Sequence, residues 1–272
     1  MTSSHWIHDL SPFLFRFSDT FGIRYYGLAY VIGFVGAWWL MLRAARQGRT
    51  TLPAALVGDF VVALVLGVLL GGRIGYFLLY QFEAVRADPS ILLRVWEGGM
   101  SFHGGLLGVL AALGVYAWRH KQSFVHLGDL VASVAPLGLF LGRIANFING
   151  ELWGKESNVP WAVIFPQSDT TGLPVHLIAP RHPSQLYEAI LEGLVLLVLL
   201  QWRFWRTDLL TRQPGRLAGE YLCGYAFARV ICEVFREPDA SLVLGLSRGT
   251  LYSLAMFAGG LWLVFRRPTR GA

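Results

Sequence analysis

Seven long apolar stretches constrain what this chain can fold into more than any other feature of its sequence. A transmembrane helix needs about 20 mostly apolar residues. The stretches that reach or approach this length are residues 23–42, 56–80, 103–118, 126–147, 184–202, 217–235 and 249–265. Hydrophobic residues make up 54% of the chain and charged residues 15%, which excludes intrinsic disorder and leaves too few charges to cover a soluble globule. We therefore predict an all-α integral membrane protein with about seven transmembrane helices.

The basic residues divide unevenly between the two sets of helix ends, and this division predicts the orientation of the chain. The ends that are richer in Lys and Arg face the cytoplasm. The richer set carries Arg43, Arg46, Arg49, Arg119, Lys121, Arg203, Arg206, Arg212, Arg216, Arg266, Arg267 and Arg270. We therefore expect an N-terminus on the outer side of the membrane and a cytoplasmic C-terminus in a single polytopic domain, residues 1–272, with a loop on the outer side at about 148–183.

The first 22 residues are aromatic but do not resemble a signal peptide, because they lack a basic region and a small-residue cleavage site. Trp6, Phe13 and Phe15 suit a segment that lies in the membrane interface. A surface helix packed on the helical bundle is the alternative interpretation.

Three arginines lie inside the predicted spans, where a charged side chain is costly. Insertion of an arginine at the bilayer centre costs about 2.5–3.5 kcal/mol on translocon scales. Arg73, Arg143 and Arg229 all fall in the outer halves of their spans, so we expect three guanidinium groups at one level of the outer leaflet. Guanidinium groups bind phosphate in a bidentate manner, and a phospholipid headgroup is the anion found at that depth. The alternative is that each arginine reaches the headgroup region or pairs with an acid, as Arg229 could with Glu233.

Other polar residues collect at the same level and predict a polar cavity open to the outer leaflet. They are Tyr26, Arg24, Glu97, Ser101, His103, Asn146, Asn149, Glu151, Trp153, Gln185, Tyr187, Glu188 and Tyr225. Histidine titrates near neutral pH and can act as a general base, which makes His103 the candidate base. The alternative for His103 is a structural role, in which its side chain only forms hydrogen bonds at the start of a helix.

The remaining small and acidic residues suggest structural roles. Glycines at 71, 72, 75, 98, 99, 104 and 105 allow helices or loops to approach closely. Cys223 and Cys232 have no histidine at helical spacing to activate them, so we interpret them as small buried residues. We interpret the acids Asp59, Asp129, Glu192 and Glu220 as solvated or structural.

No combination of residues in the sequence predicts a metal site, a nucleotide site or any other cofactor. Nucleic acid is also not an expected partner, because the basic residues do not cluster on one face. Two other classes remain open. A phospholipid or anion transporter would use the same arginines, although its polar residues should lie near the midplane. In a non-catalytic assembly protein, the arginines would pair only with acids.

Five sequence blocks resemble the bacterial prolipoprotein diacylglyceryl transferase family. The blocks are GGRIGYFLLY at 71–80, WEGGMSFHGG at 96–105, GRIANFINGELWG at 142–154, RHPSQLYEA at 181–189 and RVICEVFREPD at 229–239. The resemblance extends from Tyr26 to Asp239, and the last helix matches only in its hydrophobic character.

This resemblance implies a seven-helix enzyme of the bacterial inner membrane with its active site toward the periplasm. It implies transfer of the diacylglyceryl group of phosphatidylglycerol to the lipobox cysteine of a preprolipoprotein, with a thioether and glycerol phosphate as products. The positions that have functional roles in this family correspond here to Tyr26, His103, Arg143, Asn146, Glu151, Gly154, Arg229 and Glu233. We therefore expect catalytic roles for His103, Arg143 and Arg229, and substrate-binding roles for Tyr26, Arg73, Asn146, Glu151, Gly154, Tyr225 and Glu233. The expected partners are phosphatidylglycerol, lipobox signal peptides and membrane lipids.

Overall fold

The computed structural model describes residues 5–18, 22–94, 98–238 and 245–266, and most of them are helical. The helices are α1 (Tyr25–Arg46), α2 (Val57–Tyr80), α3 (Phe82–Ala87), α4 (Phe102–Arg119), α5 (Phe124–Asn149), α6 (Ser184–Glu188), α7 (Leu196–Arg206), α8 (Leu209–Arg212), α9 (Arg216–Phe235) and α10 (Arg248–Phe265). A π-helical segment, Ala189–Val195, joins α6 to α7. Each of the seven predicted spans corresponds to one helix or helical run, with ends within four residues of those predicted.

Four helical runs in the described part of the chain are long and apolar enough to cross a membrane. They are Tyr25–Arg46, Ala54–Tyr80, Phe124–Asn149 and Ser184–Arg206. Large apolar side chains on these runs are more than half exposed, including Val35, Leu70 and Leu199. Exposed apolar surface on this scale marks contact with lipid or another protein rather than with water. The fold is therefore that of a helical membrane protein, while the crossing of all seven spans stays a prediction.

The chain forms two compact units, which we describe separately. The first contains residues 1–37 and 131–268, and the second contains residues 38–130. The boundaries between the two units fall within α1 and α5.

In the first unit, short strands form where the sequence suggested an interfacial segment or a surface helix. Strand β1 (Trp6–Ile7) pairs in parallel with β4 (Val163–Ile164), and β2 (Phe13–Arg16) pairs antiparallel with β3 (Gly22–Arg24). The surface-helix interpretation is therefore wrong for the described residues before α1. The β1–β4 pair ties the N-terminal segment to the long loop between α5 and α6.

In the second unit, α2 and α4 approach so closely that glycine is required at their contact. A Cβ atom on Gly71 would lie 2.7 Å from the Cα of Gly108, and one on Gly75 would lie 2.6 Å from the Cα of Gly104. Real Cβ atoms do not approach other carbons this closely, so larger residues would force the helices apart. The prediction of close approach is confirmed for Gly71, Gly75 and Gly104.

Candidate active site

The C-terminal end of α5 brings Asn146 and Glu151 together by backbone geometry. The N–H of Gly150 donates to the carbonyl of Phe147 at 2.9 Å, and the N–H of Glu151 donates to the carbonyl of Asn146 at 3.1 Å. This pair of bonds is a Schellman motif, in which the residue after the helix takes a left-handed conformation. Gly150 has φ of +66°, a value that glycine adopts without strain. The turn therefore places Glu151 directly beside Asn146.

Side-chain hydrogen bonds complete this turn. The Asn146 amide donates to Glu151 Oε1 at 2.8 Å, and the Asn149 amide donates to the same oxygen at 3.3 Å. Buried Gln185 donates to the carbonyl of Glu151 at 2.6 Å, which ties the turn to α6. The carboxylate of Glu151 is therefore held by two amides in a fixed position.

Gly154 occupies a gap that has no room for a side chain. A Cβ atom at this position would lie 2.5 Å from the carbonyl oxygen of Phe235 and 2.8 Å from the Cβ of His182. The N–H of Gly154 also donates to the carbonyl of His182 at 2.9 Å. Glycine is therefore required for the loop to reach the end of α9, and this packing agrees with the predicted close loop approach.

Two fully buried glutamates form the centre of the site. Glu188 and Glu192 are 0% exposed; Glu188 is the last residue of α6, and Glu192 follows one turn later in the π-helical segment. A Cβ atom on Gly193 would lie 2.6 Å from the Cα of Phe140 on α5. This close approach of the π-helical segment to α5 brings both carboxylates within reach of Arg143, one turn further along α5. π-Helical segments occur frequently at functional sites.

Three arginines converge on these two glutamates. Arg143 Nε lies 2.9 Å from Glu188 Oε2, and Arg143 Nη2 lies 3.5 Å from Glu192 Oε2. Arg229 Nη1 lies 2.9 Å from Glu188 Oε1 and 3.5 Å from Glu192 Oε1. Arg236 Nη1 completes the set, 2.8 Å from Glu188 Oε1. The structure therefore brings the two arginines predicted to be catalytic onto the same pair of carboxylates.

Glu233 supplies a third negative charge, which matches the three positive charges of the arginines. It accepts a hydrogen bond from Arg229 Nη2, so the alternative interpretation, in which Arg229 pairs with Glu233, is confirmed for this contact. Gly249 at the start of α10 packs directly on the Glu233 carboxylate, and its missing side chain leaves room for the ion pair. Three arginines, Arg143, Arg229 and Arg236, and three glutamates, Glu188, Glu192 and Glu233, make the cluster formally neutral when every group is ionised. We call these six residues the Arg–Glu cluster.

The two predicted tyrosines lie on the first unit as well. Tyr225 precedes Arg229 by one turn of α9, and its ring centre is 6.2 Å from that of Tyr221. Tyr26 lies at the start of α1, with its ring centre 5.5 Å from that of Tyr30. The structure therefore places Tyr225 on the helix that carries Arg229 and Glu233 of the Arg–Glu cluster.

Arg73 lies in the second unit, where it holds a loop. Its guanidinium group donates to the backbone carbonyls of Ile91, Leu92, Arg94, Gly98 and Gly99. The side chain is buried, and its guanidinium carbon lies 4.6 Å from the ring centre of Phe77. These contacts use the N–H groups through which Arg73 was expected to bind phosphate, and its substrate-binding role stays a prediction.

His103 also belongs to the second unit, as the second residue of α4. Ser101 caps this helix by accepting a hydrogen bond from the N–H of Gly104 at 3.3 Å. The His103 side chain is exposed, with its ring centre 5.7 Å from that of Phe102. His103 is therefore placed at a helix start, as the sequence predicted, and its role as a base stays a prediction.

Sequence reasoning missed Glu192 and Arg236 as members of the cluster. Glu192 was interpreted as solvated or structural, and the solvated interpretation is wrong, because the side chain is fully buried against two arginines. A usable signal was present, since Glu188 and Glu192 lie one turn apart in an apolar run that could not hold two unpaired acids. Arg236 lies just beyond the predicted span 217–235 and is not among the predicted site residues, yet it too is buried.

Comparison with known proteins identifies relatives along almost the whole chain. Residues 12–266 match the family model for prolipoprotein diacylglyceryl transferase. The chain is 49% identical over 252 residues to the phosphatidylglycerol–prolipoprotein diacylglyceryl transferase of Rhodospirillum centenum, covering 90% of this chain and 88% of the relative. It is 45% identical to the protein of the same name from Ruegeria pomeroyi, covering 95% of each chain. The corresponding protein of Pseudoalteromonas translucida is 47% identical over 94% of this chain and 92% of its own.

Proposed function

The chain belongs to the prolipoprotein diacylglyceryl transferase family, and from this premise we propose how its buried charges serve the reaction. The protein transfers the diacylglyceryl group of phosphatidylglycerol to prolipoproteins. We propose that the acceptor is the thiol of the lipobox cysteine in a preprolipoprotein signal peptide. The step breaks the bond between the diacylglyceryl carbon and the phosphate oxygen, forms a carbon–sulfur thioether and releases glycerol phosphate.

The convergence of Arg143 and Arg229 on the same two carboxylates is the observation that carries this proposal. Two guanidinium groups held side by side can bind the two free oxygens of a phosphodiester. Arg143 makes its described ion pairs through Nε and Nη2, and in this proposal the N–H groups on Nη1 donate to the phosphate. Arg143 is also the most accessible arginine of the cluster, with its side chain 17% exposed against 10% for Arg229. The glutamates hold both guanidinium groups in place before the lipid arrives.

The acceptor thiol must lose its proton before it attacks. A free cysteine has a pKa near 8.5, so a base or a positive field must help to ionise it. In this proposal His103 takes the thiol proton as general base. Arg143 and Arg229 stabilise the negative charge that develops on the departing phosphate, in surroundings of low dielectric where such contacts are strong.

The remaining predicted residues bind and shape the lipid headgroup. Asn146, Tyr26 and Tyr225 donate hydrogen bonds to the headgroup glycerol, and Glu151 holds the Asn146 amide in position. The fixed Asn146–Glu151 pair supports this role, because a preorganised donor loses little entropy on binding. Gly154 allows the loop to close over the headgroup.

We propose that all seven long helices cross the bacterial inner membrane, with the N-terminus in the periplasm. The four longest and most apolar runs support this directly by their length. The other three, α4, α9 and α10, have 18, 20 and 18 residues, which is enough to span a membrane of ordinary thickness when packed against longer helices. The basic helix ends supply the orientation, and the Arg–Glu cluster then lies toward the periplasm.

A direct assay tests the reaction. Purified protein in nanodiscs is incubated with phosphatidylglycerol and a peptide that carries a lipobox cysteine. We expect mass spectrometry to show the mass gain of one diacylglyceryl group on the peptide and an equal amount of free glycerol phosphate. A peptide with serine in place of the cysteine is the control. Modification of the serine peptide, or folded protein that modifies neither peptide, would overturn the proposed chemistry.

Arg143→Lys tests the arginine role in the same assay. Lysine keeps the charge but has one ammonium group in place of a planar fork, so we expect activity to fall by at least about a hundredfold, as for loss of one oxyanion donor. Arg203→Lys is the matched control, because Arg203 makes a comparable pair with Glu220, at 2.7 Å, away from the cluster. Full activity of Arg143→Lys would exclude bidentate phosphate binding by this residue.

A further inference from the structure

A buried histidine from the N-terminal segment braces the turn that carries Glu151. His8 is 3% exposed, and its Nε2 lies 2.7 Å from the carbonyl oxygen of Phe147. A carbonyl oxygen only accepts, so His8 donates through Nε2–H. Phe147 is one of the two residues whose carbonyls form the Schellman motif, and its carbonyl also receives the N–H of Gly150.

The His8 ring is fixed from several sides. Its centre lies 5.3 Å from that of Phe165 and 5.6 Å from that of Phe147, with the second pair arranged edge to face. The backbone N–H of His8 donates to the carbonyl of Ile164 at 2.8 Å, next to the β1–β4 pair. These contacts pack the ring from two sides and fix the backbone of His8.

The ring also lies against Gly150, the left-handed residue of the turn. A Cβ atom on Gly150 would be 3.1 Å from both Cε1 and Nδ1 of His8. Nδ1 itself is buried and has no hydrogen-bond partner among the described residues. Burying an unpartnered polar atom costs free energy. An apolar side chain would avoid this cost, so the choice of histidine indicates a need for the Nε2–H donor.

We propose that His8 is a positioning residue for the Asn146–Glu151 pair, and this inference rests on the proposed role of that pair in binding the lipid headgroup. The hydrogen bond from His8 holds the Phe147 carbonyl, and with it the turn that sets Glu151 against the Asn146 amide. Loss of the donor lets the turn loosen while the helix and the Arg–Glu cluster remain. The effect falls on phosphatidylglycerol binding and hence on KM more than on kcat.

Two substitutions of His8 distinguish the contribution of its N–H donor from that of its aromatic ring. His8→Phe keeps an aromatic ring but removes the N–H group, and His8→Gln keeps an amide N–H near the position of Nε2. We expect His8→Phe to raise KM for phosphatidylglycerol by about tenfold, which is the upper range for one neutral hydrogen bond, and His8→Gln to restore most of the loss. His176→Phe is the control, because His176 is an exposed histidine of the long loop between α5 and α6.

A double-mutant cycle with Glu151→Ala distinguishes positioning from general stability. If His8 acts through Glu151, His8→Phe should change KM by less than about twofold in the Glu151→Ala background, since residues that act as a unit are non-additive. Equal effects in both backgrounds, or no rescue by His8→Gln, would overturn the inference. If His8→Phe does not fold, His8→Met replaces it, and unfolding of both variants would assign His8 to stability alone.

The same data distinguish a failure of this inference from a failure of the proposed function. A Glu151→Ala variant that retains full activity would overturn the role of the Asn146–Glu151 pair itself. Loss of activity in Glu151→Ala together with full activity in His8→Phe would overturn only the role of His8.

Discussion

The carboxylate of Glu188 is shared by three guanidinium groups, from Arg143, Arg229 and Arg236, at 2.8–2.9 Å. Glu192 contacts two of the same arginines, but at 3.5 Å. Removing one partner of a buried ion pair leaves the other charge uncompensated, at a cost of about 3–5 kcal/mol. Because Glu188 compensates three charges at short distance, its loss should be the most damaging in the cluster.

We therefore predict that Glu188→Gln destabilises the protein more than Glu192→Gln does. Gln keeps the shape of Glu but removes the charge, so the expected loss is a few kcal/mol for Glu188 and about half of that for Glu192. Thermal unfolding of the purified variants in one detergent measures the order of their stabilities. Glu156→Gln is the control, since Glu156 forms an exposed pair with Arg181 and such pairs contribute about 0–1 kcal/mol. The reverse order, or equal stability of all three variants, would contradict the structure.

We predict that Gly154→Ala lowers the transferase activity, because the added side chain has no room. The added methyl group would overlap the carbonyl of Phe235 and the Cβ of His182, so the loop must move away from α9. We expect activity to fall at least about tenfold, because a small misplacement of positioned groups has large kinetic effects.

Gly128→Ala is the control for the Gly154 substitution, because a Cβ at that helical position meets nothing within 4 Å. It should keep full activity and gain up to about 1 kcal/mol in stability. Wild-type activity in Gly154→Ala would show that the loop can move without consequence for the reaction.

At the scale of single elements, the turn around Asp169 should depend on pH. Its carboxylate accepts hydrogen bonds from the Thr171 hydroxyl and the Leu173 N–H, each at 2.7 Å. These bonds, that of Thr171 first, lower the pKa of Asp169 below its usual value of 3.8. A lowered pKa in the folded state means that the bonds stabilise the turn fully above about pH 4 and are lost as the pH falls through the folded-state pKa.

An NMR titration of the Leu173 amide in nanodiscs, from pH 6 to pH 2, measures this dependence. We expect a single transition with its midpoint below 3.8, and no such transition in Asp169→Ala. A midpoint at or above 3.8 in the wild type would mean that the turn does not form in solution.

The long helices could be predicted from the sequence, whereas the short strands could not. Apolar runs of about 20 residues determine helices locally, which explains why the predicted and observed helix ends agree closely. Strand β1 forms only because Trp6 pairs with Val163, more than 150 positions away. Nothing in the sequence around Trp6 specifies that partner, so the aromatic residues suggested an interfacial segment instead.

The site was predictable in its residues but not in its pairings. Arg143, Asn146, Glu151 and Arg229 were identified from motif and depth, and the structure places them at one end of the first unit. Two of the acidic partners of the arginines, however, come from the end of α6 and from the π-helical segment, more than 35 residues away in the chain. The sequence carries no sign of that segment or of the close contact of Gly193 with Phe140, although the one-turn spacing of Glu188 and Glu192 in an apolar run indicated that both acids are paired.

At the scale of the whole molecule, the uneven distribution of basic residues predicts the topology. Single cysteines are introduced in a variant that lacks Cys223 and Cys232, one at Gln213 and one at Thr171. We expect a membrane-impermeant maleimide to label position 171 in cells with a permeabilised outer membrane, and to label position 213 only after lysis. Position 171 lies in the predicted periplasmic loop, and position 213 lies between basic helix ends. Labelling of position 213 in such cells would reverse the proposed orientation.

The neutrality of the Arg–Glu cluster has a consequence for turnover. Phosphatidylglycerol brings one negative charge, whereas the glycerol phosphate that leaves carries up to two at neutral pH, because the second pKa of a phosphate monoester is near 6. Three arginines without counter-charges would bind the more highly charged product more tightly than the substrate and would slow its escape. Three glutamates at the same place remove that preference, because they repel the extra charge. We therefore expect the acids that fix the arginines also to favour release of glycerol phosphate.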